Sequence, residues 1–93
     1  MYRLKLYVAG QTSRARKAAR DLTAALEEGL PGRYTLETFD LLGNPELGRQ
    51  DGVFATPMVV KVSPAPVRKV VGDFSNGSKV RNALGIGEEQ ASQ

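Results

Sequence analysis

Hydrophobic and polar positions follow two different periods along this chain, and each period predicts a type of element. Residues 3–8 begin as alternating charged and apolar side chains and end as an apolar run, which is typical of a strand covered on both faces. From residue 13 onward the period becomes helical, which predicts one helix of about four turns. Its apolar positions are Ala15, Ala18, Ala19, Leu22, Leu26 and Leu30.

Short signals mark both ends of this helix. Thr12 or Ser13 can accept hydrogen bonds from the first free backbone N–H groups. Gly29 predicts a stop in the left-handed conformation, and Pro31 prevents the helix from continuing. Residues 34–42 are rich in β-formers, so a strand, a helix and a strand in succession predict a right-handed unit with parallel strands.

The next segments predict a short helix and a hairpin. Asn44 is expected to cap the helix, with Pro45 at its first position and Glu46 in its positive first turn. Residues 58–62 and 67–71 are predicted strands, and the turn between them is too short for a crossover. The pair is therefore antiparallel.

A last helix completes the order βαβαββα. Val80, Ala83 and Leu84 are expected to point inward, and Gly85 is expected to stop the helix without harming it. We predict one domain over residues 1–87 and a flexible tail over residues 88–93.

Composition narrows the class of function. The 93-residue chain has no cysteine and no histidine, which excludes a disulfide framework, a cysteine-ligated zinc site, thiol–disulfide exchange by the chain itself and an ordinary triad built on Ser13. No two carboxylates are placed as an acid and a base, so we predict no enzyme activity, cofactor or metal. No apolar run reaches membrane-spanning length, which favours a cytoplasmic protein without a membrane partner.

The net charge of +3 makes the chain only mildly basic. A basic cluster in the first helix could meet phosphates or an acidic protein, although a solvated helix face is the simpler interpretation. No aromatic side chain is interleaved with these charges to stack on bases, so nucleic acid is a poor candidate partner. The cluster consists of Arg14, Arg16, Lys17 and Arg20.

A Thr-Pro pair stands directly before the predicted strand 58–62. Proline cannot donate to a sheet ladder, so it belongs at the first residue of a strand. This junction resembles the one that thioredoxin-like domains use, with the proline cis, as a wall of their binding site. A cis Thr56–Pro57 bond is therefore our hypothesis, with Pro57 shaping a site rather than reacting. The alternative is that Pro57 merely starts a strand.

Three basic residues interrupt the predicted hairpin, namely Lys61, Arg68 and Lys69. Successive side chains of a strand point to opposite faces, so we predict that Lys61 faces solvent, opposite to Val60 and Val62. An edge strand protected by charge explains these residues without a function. The alternative is that Lys61, with Arg68 or Lys69, meets an acidic partner, and both interpretations stay open.

Four segments of the chain carry a resemblance to a known family: LKLYVAGQT at 4–12, DLLGNPEL at 40–47, ATP at 55–57 and PVRKVVGD at 66–73. Together they resemble the KaiB family, the small regulators of the circadian clock built around the hexameric ATPase KaiC. The resemblance implies a thioredoxin-like α/β fold, a four-stranded mixed sheet flanked by helices. It also implies a non-enzymatic regulator that docks on the N-terminal ring of a KaiC-type ATPase, competes there with a related kinase sensor domain and helps to sequester a KaiA-like protein.

The resemblance further implies fold switching. Clock members rest as a tetramer whose C-terminal half has a different topology, and they bind as thioredoxin-like monomers. A homo-oligomer, dimer or tetramer, is therefore one candidate state here, and the sequence leaves the oligomeric state open. Ala83 and Gly85 stand where clock members tend to have glycine and aspartate. Alanine favours a helix interior over glycine by about 1 kcal/mol, so Ala83 predicts a chain mainly in the thioredoxin-like form.

The implied interface lies at the end of the second strand, on the short second helix and at Lys61. Gly43 stands where clock members tend to have a lysine of the KaiC-binding face, which is a departure from the pattern. The predicted interface residues are Asp40, Leu41, Leu42, Asn44 and Lys61, with Arg68 and Lys69 behind them.

Two other functions are compatible with the same residues. One is a stress-related thioredoxin-like adaptor that binds another partner, such as a signalling kinase. The other, more remote, is a cofactor-dependent enzyme in which Ser13 or Thr12 anchors a glutathione-type ligand.

Overall fold

A computed structural model describes residues 1–86 of the chain. Its elements follow the order βαβαββα, as the sequence predicts. The expected tail, 88–93, lies outside the described residues, and the extent of the domain stays a prediction. The elements are β1 (Tyr2–Val8), α1 (Ser13–Gly29), β2 (Tyr34–Asp40), α2 (Pro45–Gln50), β3 (Met58–Ser63), β4 (Arg68–Val71) and α3 (Gly77–Ala83).

The four strands form one mixed sheet in the order β2-β1-β3-β4. β1 and β2 are parallel, with Tyr2 opposite Tyr34 and Val8 opposite Asp40. β3 runs antiparallel to both β1 and β4. β3 is therefore an internal strand, so the edge-strand explanation offered for Lys61 is wrong for that residue, whereas β4 is an edge.

One face of the sheet packs against α1 and α3 and forms what we call the large core. Leu22 and Leu26 of α1 are fully buried there, and Ala15 and Ala18 of the same helix are buried beside them. Their helical spacing explains why α1 forms an amphipathic helix on this face. The remaining buried members are Leu4, Leu6, Val8, Leu30, Val59, Phe74, Val80, Leu84 and Ile86.

The other face carries a smaller cluster, which we call the small core. Within residues 1–86, only Tyr7, Met58 and Val60 are buried in it. Half-buried side chains complete it, including Leu47 of α2, so the short helix lies over this face. The other half-buried members are Phe39, Leu41, Val53 and Val62.

Lys61 is buried with 3% of its surface exposed, which contradicts its predicted solvent position. Alternation places it on the face of Val59, and that face is covered by the large core. Its Nζ lies 6.0 Å from the centroid of the Tyr2 ring. The aliphatic part of a lysine side chain can pack along an apolar surface. A lysine in a strand is therefore not sufficient evidence that its face of the sheet is exposed to solvent.

The start of α1 follows the predicted local chemistry, but its end does not. Thr12 caps α1 by accepting a hydrogen bond from the Ala15 backbone N at 3.0 Å, as predicted. Gly29, however, has no left-handed backbone, and Leu30 is the C-cap. A Cβ on Gly29 would lie 2.5 Å from Cδ of Arg81, so this glycine provides room for a side chain of α3.

α3 ends as the sequence predicts. Gly85 is left-handed with φ 77°, and its N donates to the Asn82 carbonyl at 3.1 Å. Ile86 N donates to the Arg81 carbonyl at 2.9 Å, which completes a Schellman motif. Ala83 is exposed rather than inward, because Val80 and Leu84, one turn apart, share the buried face.

Candidate protein-binding surface

The loops that surround the predicted site meet at one edge of the sheet. This edge holds the carboxyl ends of β1 and β2, the start of β3 and the end of β4. Leu41 N donates to the Val8 carbonyl at 2.8 Å, and Gly72 N donates to the Pro57 carbonyl at 2.9 Å. The Thr56–Pro57 bond is cis, which confirms the hypothesis, and Pro57 lies buried at this edge.

Asp40 ties the loops at this edge together. Its Oδ1 accepts hydrogen bonds from the backbone N of Gly10 at 2.9 Å and of Leu42 at 3.0 Å. Its Oδ2 accepts one from Gln11 Nε2 at 3.2 Å. The two backbone N–H groups hold the pKa of the Asp40 carboxyl below its usual value. Asp40 therefore holds the turn after β2 in place and is not a free carboxylate.

The turn that Asp40 holds presents an apolar side chain to solvent. Leu42 is 72% exposed, and Asn44 is exposed beside it, whereas Leu41 turns inward onto the small core. A Cβ on Gly10 would lie 3.0 Å from Leu42 Cδ1, and Gly10 has φ 89°, so a glycine is needed there on both counts. Asn44 occupies the N-cap position of α2 without a side-chain capping bond, so the expected cap is only positional.

The far end of α2 is held by polar contacts. The buried Tyr7 hydroxyl donates to the Asp51 carboxylate, and the Tyr7 ring stacks on Phe39 with centroids 5.5 Å apart. Burial, and next the bond to Asp51, raise the pKa of Tyr7. Lys69 Nζ lies 3.4 Å from the carbonyl oxygens of Asp51 and Gly52. These contacts fix α2 against the sheet.

The structure divides the predicted interface residues into separate groups. Asp40, Leu41, Leu42 and Asn44 come together in the turn between β2 and α2. Lys69 lies at the other end of α2. Lys61 is buried, and Arg68, its partner in the β3–β4 ladder, is half-buried on the same face of the sheet. The seven residues therefore do not form one surface.

Sequence reasoning missed Phe54, which is 76% exposed between α2 and Pro57. Its signal was a large aromatic residue in a loop next to the Thr-Pro pair, without a periodic apolar pattern to bury it. Leu41, Leu42, Asn44 and Phe54 are called the β2–α2 surface below.

Within residues 1–86, no group of acidic, histidine or cysteine side chains could hold a metal, and no helix is long and apolar enough to cross a membrane.

Comparison with known proteins settles the family. The KaiB domain model matches residues 5–86. The chain belongs to the KaiB family. It is 46% identical over 85 residues to the circadian clock oscillator protein KaiB of Microcystis aeruginosa, covering 91% of this chain and 82% of that relative. It is 44% identical over 91 residues to the KaiB of Acaryochloris marina, covering 98% and 88%.

The fold of this KaiB-family chain is confirmed by solved structures. Chloroplastic thioredoxin z matches with TM-score 0.74 at 21% identity, covering 96% of this chain and 80% of that one. The N-terminal domain of SasA from Synechococcus elongatus matches with TM-score 0.65 at 19% identity, covering 99% and 85%. At these identities the likeness shows the thioredoxin-like fold alone. The predicted fold and the resemblance to KaiB proteins are both confirmed.

Proposed function

We propose that this chain is a non-enzymatic regulator in a circadian-clock-like system and binds a KaiC-type ATPase ring through the β2–α2 surface. The observation that supports this most is Leu42, which is 72% exposed in a turn held by hydrogen bonds. Membership of a family whose curated relatives are clock oscillator proteins supports the class of partner. Sequestration of a KaiA-like protein is part of the same proposal.

The apolar side chains of this surface can supply binding free energy. Burying a leucine or phenylalanine side chain contributes about 1.5–3 kcal/mol, and a few such residues at the centre of an interface usually dominate affinity. Leu42 and Phe54 are among the most exposed large apolar side chains of residues 1–86. They flank α2 in the sequence, so a partner that covers α2 can contact both.

The turn is already held in the shape that a partner would contact. Asp40 bonds the backbone of Leu42 and of Gly10, and the Val8 carbonyl accepts from Leu41 N. A surface held in one shape loses less conformational entropy on binding than a mobile loop does. Asp40 is thus a positioning residue in this proposal, and the contacts come from its neighbours.

Lys69 is a charged residue at the border of the proposed interface. It is exposed beside the carboxyl end of α2, where an acidic group of the partner could reach it. A charge at the border of an interface mainly affects the association rate and its salt dependence. Lys61 and Arg68 are left out of this surface, because one is buried and the other is half-buried on the opposite face.

The test uses size-exclusion chromatography with light scattering on the full chain and the host's KaiC-type ATPase under ATP. Wild type is expected to form a complex that Leu42→Asp abolishes and that Phe54→Asp weakens. Val67→Asp is the matched control, because Val67 is 57% exposed but lies in the β3–β4 turn at the opposite edge of the sheet.

Two results would contradict the proposal in different ways. A complex unchanged by Leu42→Asp but lost in Val67→Asp would show that the partner is right and the surface is wrong. No complex with a well-folded ATPase, over hours and across nucleotides, would reject the KaiC-type partner and favour the stress-related adaptor.

A further inference from the structure

Two cations and a tyrosine lie together at one end of the large-core face of the sheet. Tyr2 packs against the large core, and Leu4, the next residue of β1 on the same face, pairs with Lys61. Lys61 in turn pairs with Arg68 in the β3–β4 ladder. Tyr2, Lys61 and Arg68 are called the basic end of the large core below.

Lys61 has no carboxylate partner among the described residues. Its side chain is 3% exposed, and within residues 1–86 it forms no hydrogen bond or ion pair. The Tyr2 ring lies 6.0 Å from its Nζ, and Arg68 beside it carries charge of the same sign. Removing an ammonium group from water costs more than a ring contact returns, and buried charges in proteins are normally paired. The carboxylate that Lys61 requires therefore comes from outside residues 1–86.

α3 directs the end of the chain toward this same end of the sheet. A Cβ on Gly77 would lie 3.4 Å from Ala25 Cβ, and a Cβ on Gly29 would lie 2.5 Å from Arg81 Cδ. One turn of α3 thus matches one turn of α1, so the two helices run in the same direction. Because α1 leads from the end of β1 to the start of β2, α3 ends near the edge that holds Tyr2.

The segment after α3 has the charge that Lys61 lacks. Ile86, the last described residue, is buried in the large core. Glu88 and Glu89 are the charged side chains that follow it, and both are negative. An extended chain advances about 3.5 Å per residue, so these two side chains can reach roughly 7–10 Å beyond Ile86.

We propose that the acidic segment 87–93 of this chain docks on the basic end of the large core, where a carboxylate of Glu88 or Glu89 pairs with the buried ammonium group of Lys61. Charge complementarity selects this occupant, since Arg68 adds positive charge at the same place. The contact ties the end of the chain to β3 and stabilises the thioredoxin-like arrangement. The inference does not rest on the function proposed above, because the β2–α2 surface lies on the other face of the sheet.

The first test is backbone ¹⁵N relaxation of the full chain. In wild type the order parameters at residues 88 and 89 are expected near the rigid value of about 0.85. Lys61→Met removes the charge but keeps an apolar side chain of similar length, and it should lower both values below about 0.6. Lys69→Met is the matched control, because Lys69 lies in the same hairpin but pairs with Val60 on the other face. It should leave both order parameters as in wild type.

Urea denaturation then measures the same contact as stability. The double substitution Glu88→Gln and Glu89→Gln should raise the equilibrium constant for unfolding roughly tenfold, since a hydrogen-bonded charge pair is lost. In a Lys61→Met background the same double substitution should have no effect. The double substitution should also release the order at residues 88 and 89, so the proposal can fail even if Lys61→Met does not fold.

The proposal fails on any of three results. Order parameters below about 0.6 at residues 88 and 89 of wild type would show that the segment does not dock. A loss of stability of the same size in wild type and in Lys61→Met would place the two carboxylates against another group. Order at these residues that is lost on dilution would show that a second copy of the chain supplies the acidic segment.

Discussion

The two faces of the sheet are built in different ways. The face under α1 and α3 buries an almost entirely apolar large core, with Leu22, Leu26 and Leu84 fully enclosed. Of the described residues, the face under α2 encloses only Tyr7, Met58 and Val60, and polar bonds such as that between Tyr7 and Asp51 hold the short helix.

This difference separates most of the apolar burial from the proposed binding surface. Apolar burial is roughly proportional to free energy, so most of the stabilisation lies on the large-core face. Next to the small core, Leu42 and Phe54 stay exposed because α2 is too short to cover them. Under the proposed function, the face that contributes less to stability is the face that carries the binding surface.

The largest expected effect is a truncation in the large core. Leu22→Ala removes a fully buried side chain and should lower the free energy of unfolding by about 2–5 kcal/mol. Leu47→Ala, on the half-buried small core, should lower it by less than half as much. Urea denaturation of both variants measures the comparison, and equal losses would contradict the division between the faces.

The second effect concerns the contact between α1 and α3. Arg81 Nη1 donates to the Ala25 carbonyl at 3.1 Å and crosses close to Gly29. Gly29→Ala should lower the free energy of unfolding by about 1–2 kcal/mol, because its Cβ overlaps Arg81, although alanine is the better helix former.

The control for this prediction is a background in which Gly29→Ala should no longer lower the free energy of unfolding. In an Arg81→Ala background the overlap is gone, so Gly29→Ala should become neutral or stabilising when the two backgrounds are compared by urea denaturation. A loss of the same size in both backgrounds would show that Gly29 is needed for its backbone and not for the room it leaves.

The third effect tests the polar bonds of the small-core face. Tyr7→Phe removes the hydroxyl that donates to Asp51 and should cost about 1 kcal/mol, with faster amide hydrogen exchange in α2. Tyr34→Phe is the matched control, because Tyr34 donates to Glu27 at 2.5 Å at an exposed position, a bond that raises the pKa of Tyr34 to about 12. Equal exchange of α2 in both variants would contradict the role of the Tyr7 hydroxyl.

The smallest expected effect is a pH dependence of the stability that Asp40 contributes. Asp40 lies at the edge of the sheet that holds the carboxyl ends of β1 and β2. The pKa of Asp40 is lowered in the folded chain, so its contribution to stability is present above about pH 4 and is lost as the pH falls through the folded value. Asp40→Asn should therefore flatten the acid side of the stability profile below about pH 4.

The measurement for Asp40 is urea denaturation across this range, with Glu37→Gln on exposed β2 as the control variant. If the free energy of unfolding falls equally steeply with decreasing pH in wild type and in Asp40→Asn, the bonds to Gly10 and Leu42 do not favour the charged carboxylate.

The candidate site was predictable where it depends on neighbours in the chain. The turn after β2 was found because Asp40, Leu42 and Asn44 lie within a few residues of a strand end and a Pro-initiated helix. Phe54 was not found, because an isolated aromatic residue has no period that shows whether it is covered.

The sequence by itself determined the order of the elements, the Thr12 cap and the stop at Gly85, because each depends on hydrogen bonds and backbone angles within a few residues. Only the tertiary structure decided that Lys61 is buried and that Gly29 must stay small. Alternation tells which side chains share a face, but not whether another element covers it. The docking of α1 and α3, which are distant in the chain, covers the face of the sheet that carries Lys61 and brings Arg81 against Gly29.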